Sequence, residues 1–198
     1  MKTKVTQCIF LLLLSVSLFA GLPVGQNAPL LDLNGDAGGR VDDSPWSSSE
    51  LVGKVWVVVH ADPDEADLNN VATEALSDKD FDLTYYGSVA LINMAATWKP
   101  NIAIDYILKG KQEKYPSTVY VRDMDKLVVK KWGLADDSSN ICVFDPTGKV
   151  IFSIDGQLNA DDIAKMIVLI DAEIAKLKNP PVEVQEEVEE EVEEAKEG

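Results

Sequence analysis

The sequence predicts one α/β domain with a parallel strand core, a C-terminal antiparallel hairpin and flanking helices. Strand patterns alternate with helix patterns over most of the chain, an order that favours a parallel sheet. The apolar, mostly β-branched run Val55 to Val59 is typical of a strand buried on both faces, the usual centre of such a sheet. Near the C-terminal end, Asp145-Pro146-Thr147-Gly148 has the composition of a tight turn between two strands.

Four short elements are predicted before the central strand. Glycines and asparagines mark the turns between them. They are an extended lead-in (24–29), a strand (30–33), a hairpin that turns at 34–39 and returns through 40–41, and a helical turn (44–51).

The residues after the central strand predict an immediate helix start. Asp62 is a favourable N-cap residue, Pro63 suits the first helical position, and Glu65 completes a capping box. Apolar residues then recur three and four positions apart up to the polar stretch 77–80. A helix N-terminus directly after a buried strand is where many α/β folds keep their chemistry, because free N–H groups point there.

The remaining elements follow the same alternation. They are a buried strand (89–94), a helix from Pro100 with Gly110 as its stop, a strand nearer an edge (117–121), a short helix (125–132), two strands (141–144 and 149–154), and a helix capped by Asn159. The last helix has the clearest apolar face, formed by Ile163, Met166, Ile167, Ile170, Ile174 and Leu177.

The first twenty residues have the pattern of a secretory signal peptide. Lys2 and Lys4 precede a short apolar run, and small residues end at Ala20. An uncleaved N-terminal anchor is the alternative, although the run is shorter than the roughly 20 residues that span a membrane. We therefore expect export across the inner membrane, to the periplasm.

The charge of the chain excludes two classes of partner. Removal of the leader changes the formal net charge from −16 to about −18. Nucleic acids and anionic lipids repel such a protein. Much of the charge lies in residues 179–198, which hold nine glutamates and one lysine and predict a solvated, disordered tail. A tail that binds metal ions or a partner is the alternative.

Cysteine usage excludes an internal disulfide. Cys8 lies in the expected leader, so the mature chain keeps only Cys142. Stability must come from a hydrophobic core, and the expected domain (24–177) is long enough to form one.

Several motifs resemble those of a known fold and family. The stretches 25–29 (GQNAP), 51–54 (LVGK) and 145–149 (DPTGK) resemble the thioredoxin-like fold in its peroxiredoxin-like variant. More closely, 131–134 (KWGL), 137–140 (DSSN) and 155–158 (DGQL) resemble the YtfJ-type family of exported bacterial thioredoxin-fold proteins. The resemblance covers residues 24–177. It implies the fold and a location in the cell envelope, and no particular activity.

The chain departs from the redox members of this fold at two positions. Asp62-Pro63-Asp64-Glu65 replaces the cysteine pair after the central strand, and Asn140 replaces the proline that precedes a later strand. Both changes count against thiol–disulfide exchange, because a thiolate requires positive surroundings.

A binding crevice is predicted where several loops leave the sheet. The carboxyl ends of parallel strands open on one side, and this brings the loops after the strands at 55–59 and 89–94 together. We expect the crevice to bind a peptide or small polar ligand. Trp98 as a buried core residue is the alternative. The predicted lining residues are His60, Asp62, Asp64, Trp98, Lys99 and Asn140.

Three further sites have competing interpretations. Asp62, Asp64 and Glu65 offer oxygen ligands for Ca²⁺, or they only offset the dipole of a helix N-terminus. His60, the only histidine, is either a general base with Asp62 or an ordinary hydrogen-bonded residue. Cys142 is either a peroxidatic thiol or an inert buried one.

Together these observations predict a redox-inactive binding or accessory protein with no catalytic residue, cofactor or metal assigned. Its partner is expected to be a protein or a small polar ligand. The alternatives are a thiol oxidoreductase or peroxidase that uses Cys142, and an acidic metal-binding protein.

Overall fold

A computed structural model describes residues 21–180 of the chain. The expected leader (1–20) lies outside the described residues, and so does all of the expected tail except its first two residues. Within the part that is described, no helix is both long enough and apolar enough to cross a membrane.

Eight strands and four α-helices make up the described chain. The strands are β1 (Asp32–Leu33), β2 (Gly38–Arg40), β3 (Trp46–Ser47), β4 (Val55–Ala61), β5 (Tyr86–Asn93), β6 (Thr118–Asp123), β7 (Ser139–Phe144) and β8 (Val150–Ile154). The helices are α1 (Asn70–Asp78), α2 (Asn101–Lys114), α3 (Leu127–Trp132) and α4 (Ala160–Lys178).

Six strands form one mixed sheet in the order β2-β6-β5-β4-β7-β8, and β1 pairs with β3 in a separate ribbon. β4, β5 and β6 are parallel to one another. β2, β7 and β8 run antiparallel to their neighbours. The predicted α/β class, with a parallel core and a C-terminal antiparallel hairpin, is confirmed.

Strand β4 is buried on both faces, as its β-branched sequence predicts. Val57 packs against α1 and α4, whereas Val58 packs on the opposite side against α3 and the β1–β3 ribbon. Val59 packs on the face of the sheet that α1 and α4 cover. Ala90 is paired with Val59 in the parallel register, so its side chain lies on the same face, and it packs against α2. Helix α2 therefore lies on the same face as α1 and α4. The two faces therefore carry separate hydrophobic layers around one central strand.

The predicted pairing of residues 30–51 is wrong. β1 pairs with β3, with Leu33 opposite Trp46, and β2 pairs with the distant β6, so no hairpin joins 30–33 to 40–41. Gly38 permits this approach: its φ is 129°, and a Cβ there would collide with the carbonyl oxygen of Arg122. The predicted helical turn is instead strand β3 followed by a short 3₁₀ turn over 48–50.

The predicted helix start at Pro63 is also wrong, because α1 begins at Asn70. Asp62 does not cap a helix; its Oδ2 accepts the backbone N–H of Ser138 across 3.1 Å. Asn69, just before α1, binds distant backbone too: its Oδ1 accepts the N–H of Leu158 at 2.9 Å. The side chains of Asp62 and Asn69 could cap a helix, but both bind the backbone of distant loops instead. Residues 62–69 form turns and no helix.

Most predicted ends of the other helices agree with the structure. Helix α2 begins at Asn101, directly after Pro100. α3 ends at Gly133, whose φ is 67°, and α4 begins after Asn159, whose Oδ1 accepts the N–H groups of Asp161 and Asp162. The predicted stop at Gly110 is wrong, since α2 continues to Lys114. Glycine costs an interior helical position only about 0.5–1 kcal/mol. Beyond it, Gln112 bonds to the carbonyl oxygen of Thr118 and to the N–H of Tyr120, which holds the last turn of α2 against β6.

Candidate functional site

Buried polar side chains collect where the parallel strands end. A protein interior rarely holds polar groups without hydrogen bonds, so a group of five indicates a built polar site. None is more than 1% exposed. We call this group the strand-end cluster; it consists of His60, Asp62, Asn93, Asp123 and Asn140.

His60 and Asn140 lie opposite each other in the register of β4 and β7. Asn140 Nδ2 lies 3.0 Å from His60 Nδ1 and 2.8 Å from the carbonyl oxygen of Ala135, while Asn140 Oδ1 accepts the N–H of Gly156. Because Oδ1 and Nδ2 are fixed by these backbone groups, Nδ1 of His60 accepts a hydrogen bond and Nε2 carries the hydrogen. Burial lowers the pKa of His60 to about 4, so the ring is neutral at pH 7.

Asp62 is held in the loop that follows β4. Its N–H donates to the carbonyl oxygen of Ser138 at 2.9 Å, and its Oδ2 accepts the N–H of Ser138. Its Oδ1 is buried and has no hydrogen-bond partner among the described residues. Burial, and secondly the negative charge of Asp136, raise the pKa of Asp62 to about 6.

Two charged residues from neighbouring loops join the cluster. Asn93, the last residue of β5, donates from Nδ2 to Asp136 Oδ1 at 3.1 Å. Lys126 donates to both carboxylate oxygens of Asp136, at 3.0 and 2.7 Å. Hydrogen bonds from Lys126 lower the pKa of Asp136. Asp136 is therefore ionised at pH 7 and pairs with one ammonium group.

Asp123 serves a structural purpose in the cluster. Its two carboxylate oxygens accept the N–H groups of Leu127 and Val128, at 2.9 and 2.8 Å. These are orphan donors at the start of α3, and satisfying them stabilises that helix.

Three carboxylates meet at the solvent edge of the cluster. Asp62, Asp136 and Asp137 each place one oxygen within 4.8 Å of the others, and Asp136 and Asp137 are exposed. Carboxylate oxygens in such proximity suit a hard divalent cation. The predicted calcium ligand set of Asp62, Asp64 and Glu65 does not form such a group among the described residues.

The remaining predicted site residues form a separate surface group. Lys99 Nζ lies 2.6 Å from Asp64 Oδ1, and the hydroxyl of Thr97 donates to Asp64 Oδ2 at 2.7 Å. Hydrogen bonds from Lys99 and Thr97 lower the pKa of Asp64. Trp98 is 86% exposed, so it is not a core residue. The structure thus divides the predicted lining residues into a buried trio, His60, Asp62 and Asn140, and an exposed trio, Asp64, Trp98 and Lys99.

Cys142 lies in the core. It is fully buried in β7, and its Sγ lies 3.4 Å from the hydroxyl of Ser153. Burial raises the pKa of the thiol to about 12. Thiolate reactivity requires access and a lowered pKa, and the structure gives this cysteine neither.

A shallow groove of about 270 Å³ lies beside this edge, between the first turns of α1 and α4. Its walls are largely apolar, and it shares no residue with the predicted crevice. Its lining residues are Leu68, Asn69, Val71, Ala72, Gln157, Leu158, Ala160 and Ile163.

Sequence reasoning missed Asn93, Lys126, Asp136 and Asp137. One signal could have found the first: Asn93 ends a predicted parallel strand, and strand ends meet at one edge of the sheet. Asp136 and Asp137 lie in the loop that leads into β7 and Asn140, so the argument that placed Asn140 also applied to them. No local pattern indicated that Lys126 would reach Asp136.

Comparison with known proteins agrees with the fold. A bacterial family described as of unknown function (YtfJ_HI0045) matches residues 32–173. An uncharacterized protein of Haemophilus influenzae is 34% identical over 131 residues, which cover 64% of this chain and 71% of that protein. The uncharacterized protein YtfJ of Escherichia coli is 24% identical over 128 residues, covering 63% and 70%.

Solved structures with similar folds are thioredoxin-like. A putative protein disulfide isomerase from Bacteroides thetaiotaomicron superposes with a TM-score of 0.58 at 13% identity, covering 79% of this chain and 94% of that one. A thiol-disulfide isomerase from Corynebacterium glutamicum gives 0.55 at 19% identity, covering 75% and 97%. A peroxiredoxin-like protein from Aquifex aeolicus gives 0.52 at 13% identity, covering 77% and 90%. At these identities the similarity establishes the fold alone.

Proposed function

We propose that this chain, which belongs to the YtfJ_HI0045 family of bacterial proteins, is a thiol-independent binding protein of the cell envelope. The family resemblance puts Asp62-Pro63-Asp64-Glu65, after the central strand, where the redox members of this fold carry a cysteine pair. The burial of Cys142 is the observation that carries the proposal. A fully buried thiol with a pKa of about 12 cannot attack a disulfide or a peroxide at neutral pH.

An exposed aromatic and apolar surface supports the binding role. Trp98, Ile102 and Tyr106 are 86%, 81% and 82% exposed. Ile102 and Tyr106 are four residues apart on α2 and so share one face of the helix. Exposed aromatic side chains beside charged ones are typical of recognition surfaces. The ion pair of Asp64 with Lys99 supplies those charges.

The envelope location is supported by the leader pattern at 1–20. Among proteins of similar fold, the pneumococcal exposed lipoprotein thioredoxin (TM-score 0.50, 15% identity) shows that this fold operates outside the cytoplasm elsewhere.

Photo-crosslinking in the bacterium that carries the gene tests the binding role. A photoreactive phenylalanine analogue replaces Trp98 or Tyr106 and, as a matched control, Val168, which is 65% exposed on α4. We expect discrete crosslinked products at positions 98 and 106 and none at 168. Absence of products at 98 and 106, or identical products at all three positions, would contradict the proposal.

Assays of insulin reduction and of peroxide consumption test the thiol-independent part. We expect both rates to equal those without protein, for the wild type and for Cys142→Ser alike. Catalysis that is present in the wild type and lost in Cys142→Ser would establish the rival function, a thiol oxidoreductase or peroxidase.

A further inference from the structure

The charges at the edge of the strand-end cluster do not balance. Asp62, Asp136 and Asp137 bring three carboxylates within 4.8 Å of one another. Among the described residues, Lys126 is the cation hydrogen bonded to this trio, and it binds Asp136. With all three acids ionised, the group carries a net charge of −2. A divalent cation compensates that charge.

Two buried oxygens at this edge have no hydrogen-bond partner within the part of the chain that the structure describes. They are Oδ1 of Asp62, which is 1% exposed, and Oδ1 of Asn93, which is fully buried. The amide of Asn93 faces the acids, since its Nδ2 donates to Asp136 Oδ1 at 3.1 Å. A buried acceptor without a partner destabilises the folded state. Rotation of the Asn93 amide by half a turn would present its oxygen to the acids, and a cation between them makes that arrangement favourable.

We propose that the edge of the strand-end cluster binds a divalent cation of the calcium type, with Asp62, Asp136 and Asp137 as carboxylate ligands and Asn93 as a carbonyl ligand. The spacing fits: two oxygens that bind the same Ca²⁺ lie at most about 4.6–5.2 Å apart, and the oxygens of the three carboxylates lie within 4.8 Å of one another. Water completes the coordination, because this donor set supplies fewer than the six to eight oxygens typical of Ca²⁺.

The residues around the proposed site let a cation enter from solvent, and they favour a hard cation over a transition metal that prefers nitrogen ligands. Asp136 and Asp137 are exposed, so an ion reaches the site from solvent without opening the core. His60 does not add a nitrogen ligand to these carboxylates. Its Nδ1 accepts a hydrogen bond from Asn140, and its Nε2 is protonated, so neither nitrogen has a lone pair free to bind a metal. An all-oxygen set is typical of hard cations. This inference does not depend on the proposed binding surface.

Calorimetric titration of the full chain with CaCl₂, after removal of metal with a chelator, tests the site. The variants are Asp137→Asn and Asp136→Asn, and the matched control is Asp78→Asn, an exposed acid at the end of α1. Asp137 has a φ of 47°, which asparagine adopts readily, so this variant keeps the backbone. The acidic tail is the same in every variant, and any calcium it binds is therefore a constant background.

We expect Asp137→Asn and Asp136→Asn to weaken binding at least about tenfold, and Asp78→Asn to leave it unchanged. MgCl₂ should bind more weakly than CaCl₂. In parallel, millimolar CaCl₂ should raise the unfolding temperature of the wild type and of Asp78→Asn by several degrees, and that of Asp137→Asn much less. Equal calcium affinity in all four proteins, or no binding by the wild type, would overturn the proposal.

Discussion

Asn140 and His60 face each other across the β4–β7 pairing, with Nδ2 of one 3.0 Å from Nδ1 of the other. The same amide bonds to the carbonyl oxygen of Ala135 and to the N–H of Gly156. One side chain therefore connects the central strand to two loops. It does so at the position where the family resemblance places the proline of the redox members.

Replacement of Asn140 tests the importance of these contacts. Asn140→Ala removes the partner of one buried group, Nδ1 of His60, and of two partly buried backbone groups, those of Ala135 and Gly156. Each buried group left without a partner costs about 1–3 kcal/mol unless water reaches it. We expect a loss of about 2–4 kcal/mol in the free energy of unfolding, measured in urea. Asn34→Ala is the control, because Asn34 is exposed and makes no capping bond. Equal midpoints for the two variants would show that the contacts of Asn140 contribute little.

The ion pairs of Arg122 are more buried than the ion pair of Lys99. The two residues should therefore contribute differently to the free energy of unfolding. The side chain of Arg122 is 12% exposed, and its guanidinium bonds to Asp43 and Asp105 and to the carbonyl oxygen of Arg40. Lys99 and Asp64 are each 41% exposed. We expect Arg122→Met to lose about 2–3 kcal/mol and Lys99→Met less than about 1 kcal/mol.

Urea unfolding at low and high salt measures both effects. Salt should diminish the small contribution of Lys99 and affect that of Arg122 less, because partly buried pairs are screened less. A larger loss in Lys99→Met than in Arg122→Met would contradict this ranking.

Alanine substitutions at Gly110 and Gly38 should change the stability of the protein in opposite directions. Gly110 lies inside α2 and has open space where the methyl group of an alanine would stand, so Gly110→Ala should stabilise the protein by about 0.5–1 kcal/mol. Gly38 has a φ of 129° and contacts the backbone of Arg122, so Gly38→Ala should cost about 2 kcal/mol or more. Thermal unfolding measures both. A destabilised Gly110→Ala would mean that α2 does not run through this position.

The elements that sequence patterns predicted are those whose cause is local. The run Val55 to Val59 and the apolar stripe of α4 specify buried elements without reference to distant residues. Strand β2 shows the opposite case, because Gly38 to Arg40 form a strand only through pairing with β6. Asp62 has the local chemistry of a helix cap, yet a loop more than seventy residues away uses its carboxylate.

The candidate site was predictable only in outline. The rule that parallel strands open at one edge correctly brought His60, Asp62 and Asn140 together. The rule does not predict which residues at that edge are buried. Trp98 is exposed to solvent, whereas Asn93 is fully buried. The meeting of Asp62 with Asp136 depends on the path of the loop before β7, which no periodic pattern encodes.

Labelling of Cys142 tests most directly the claim that this scaffold carries no reactive thiol. The measurement is the rate of alkylation by iodoacetamide between pH 7 and 9, in a Cys8→Ser chain so that one thiol is counted. Because burial raises the pKa of Cys142 to about 12, the thiol stays protonated over this range. We predict negligible labelling of the folded protein at every pH, and complete labelling once denaturant unfolds it. Labelling of the folded protein at the rate of an unstructured cysteine peptide would contradict the account.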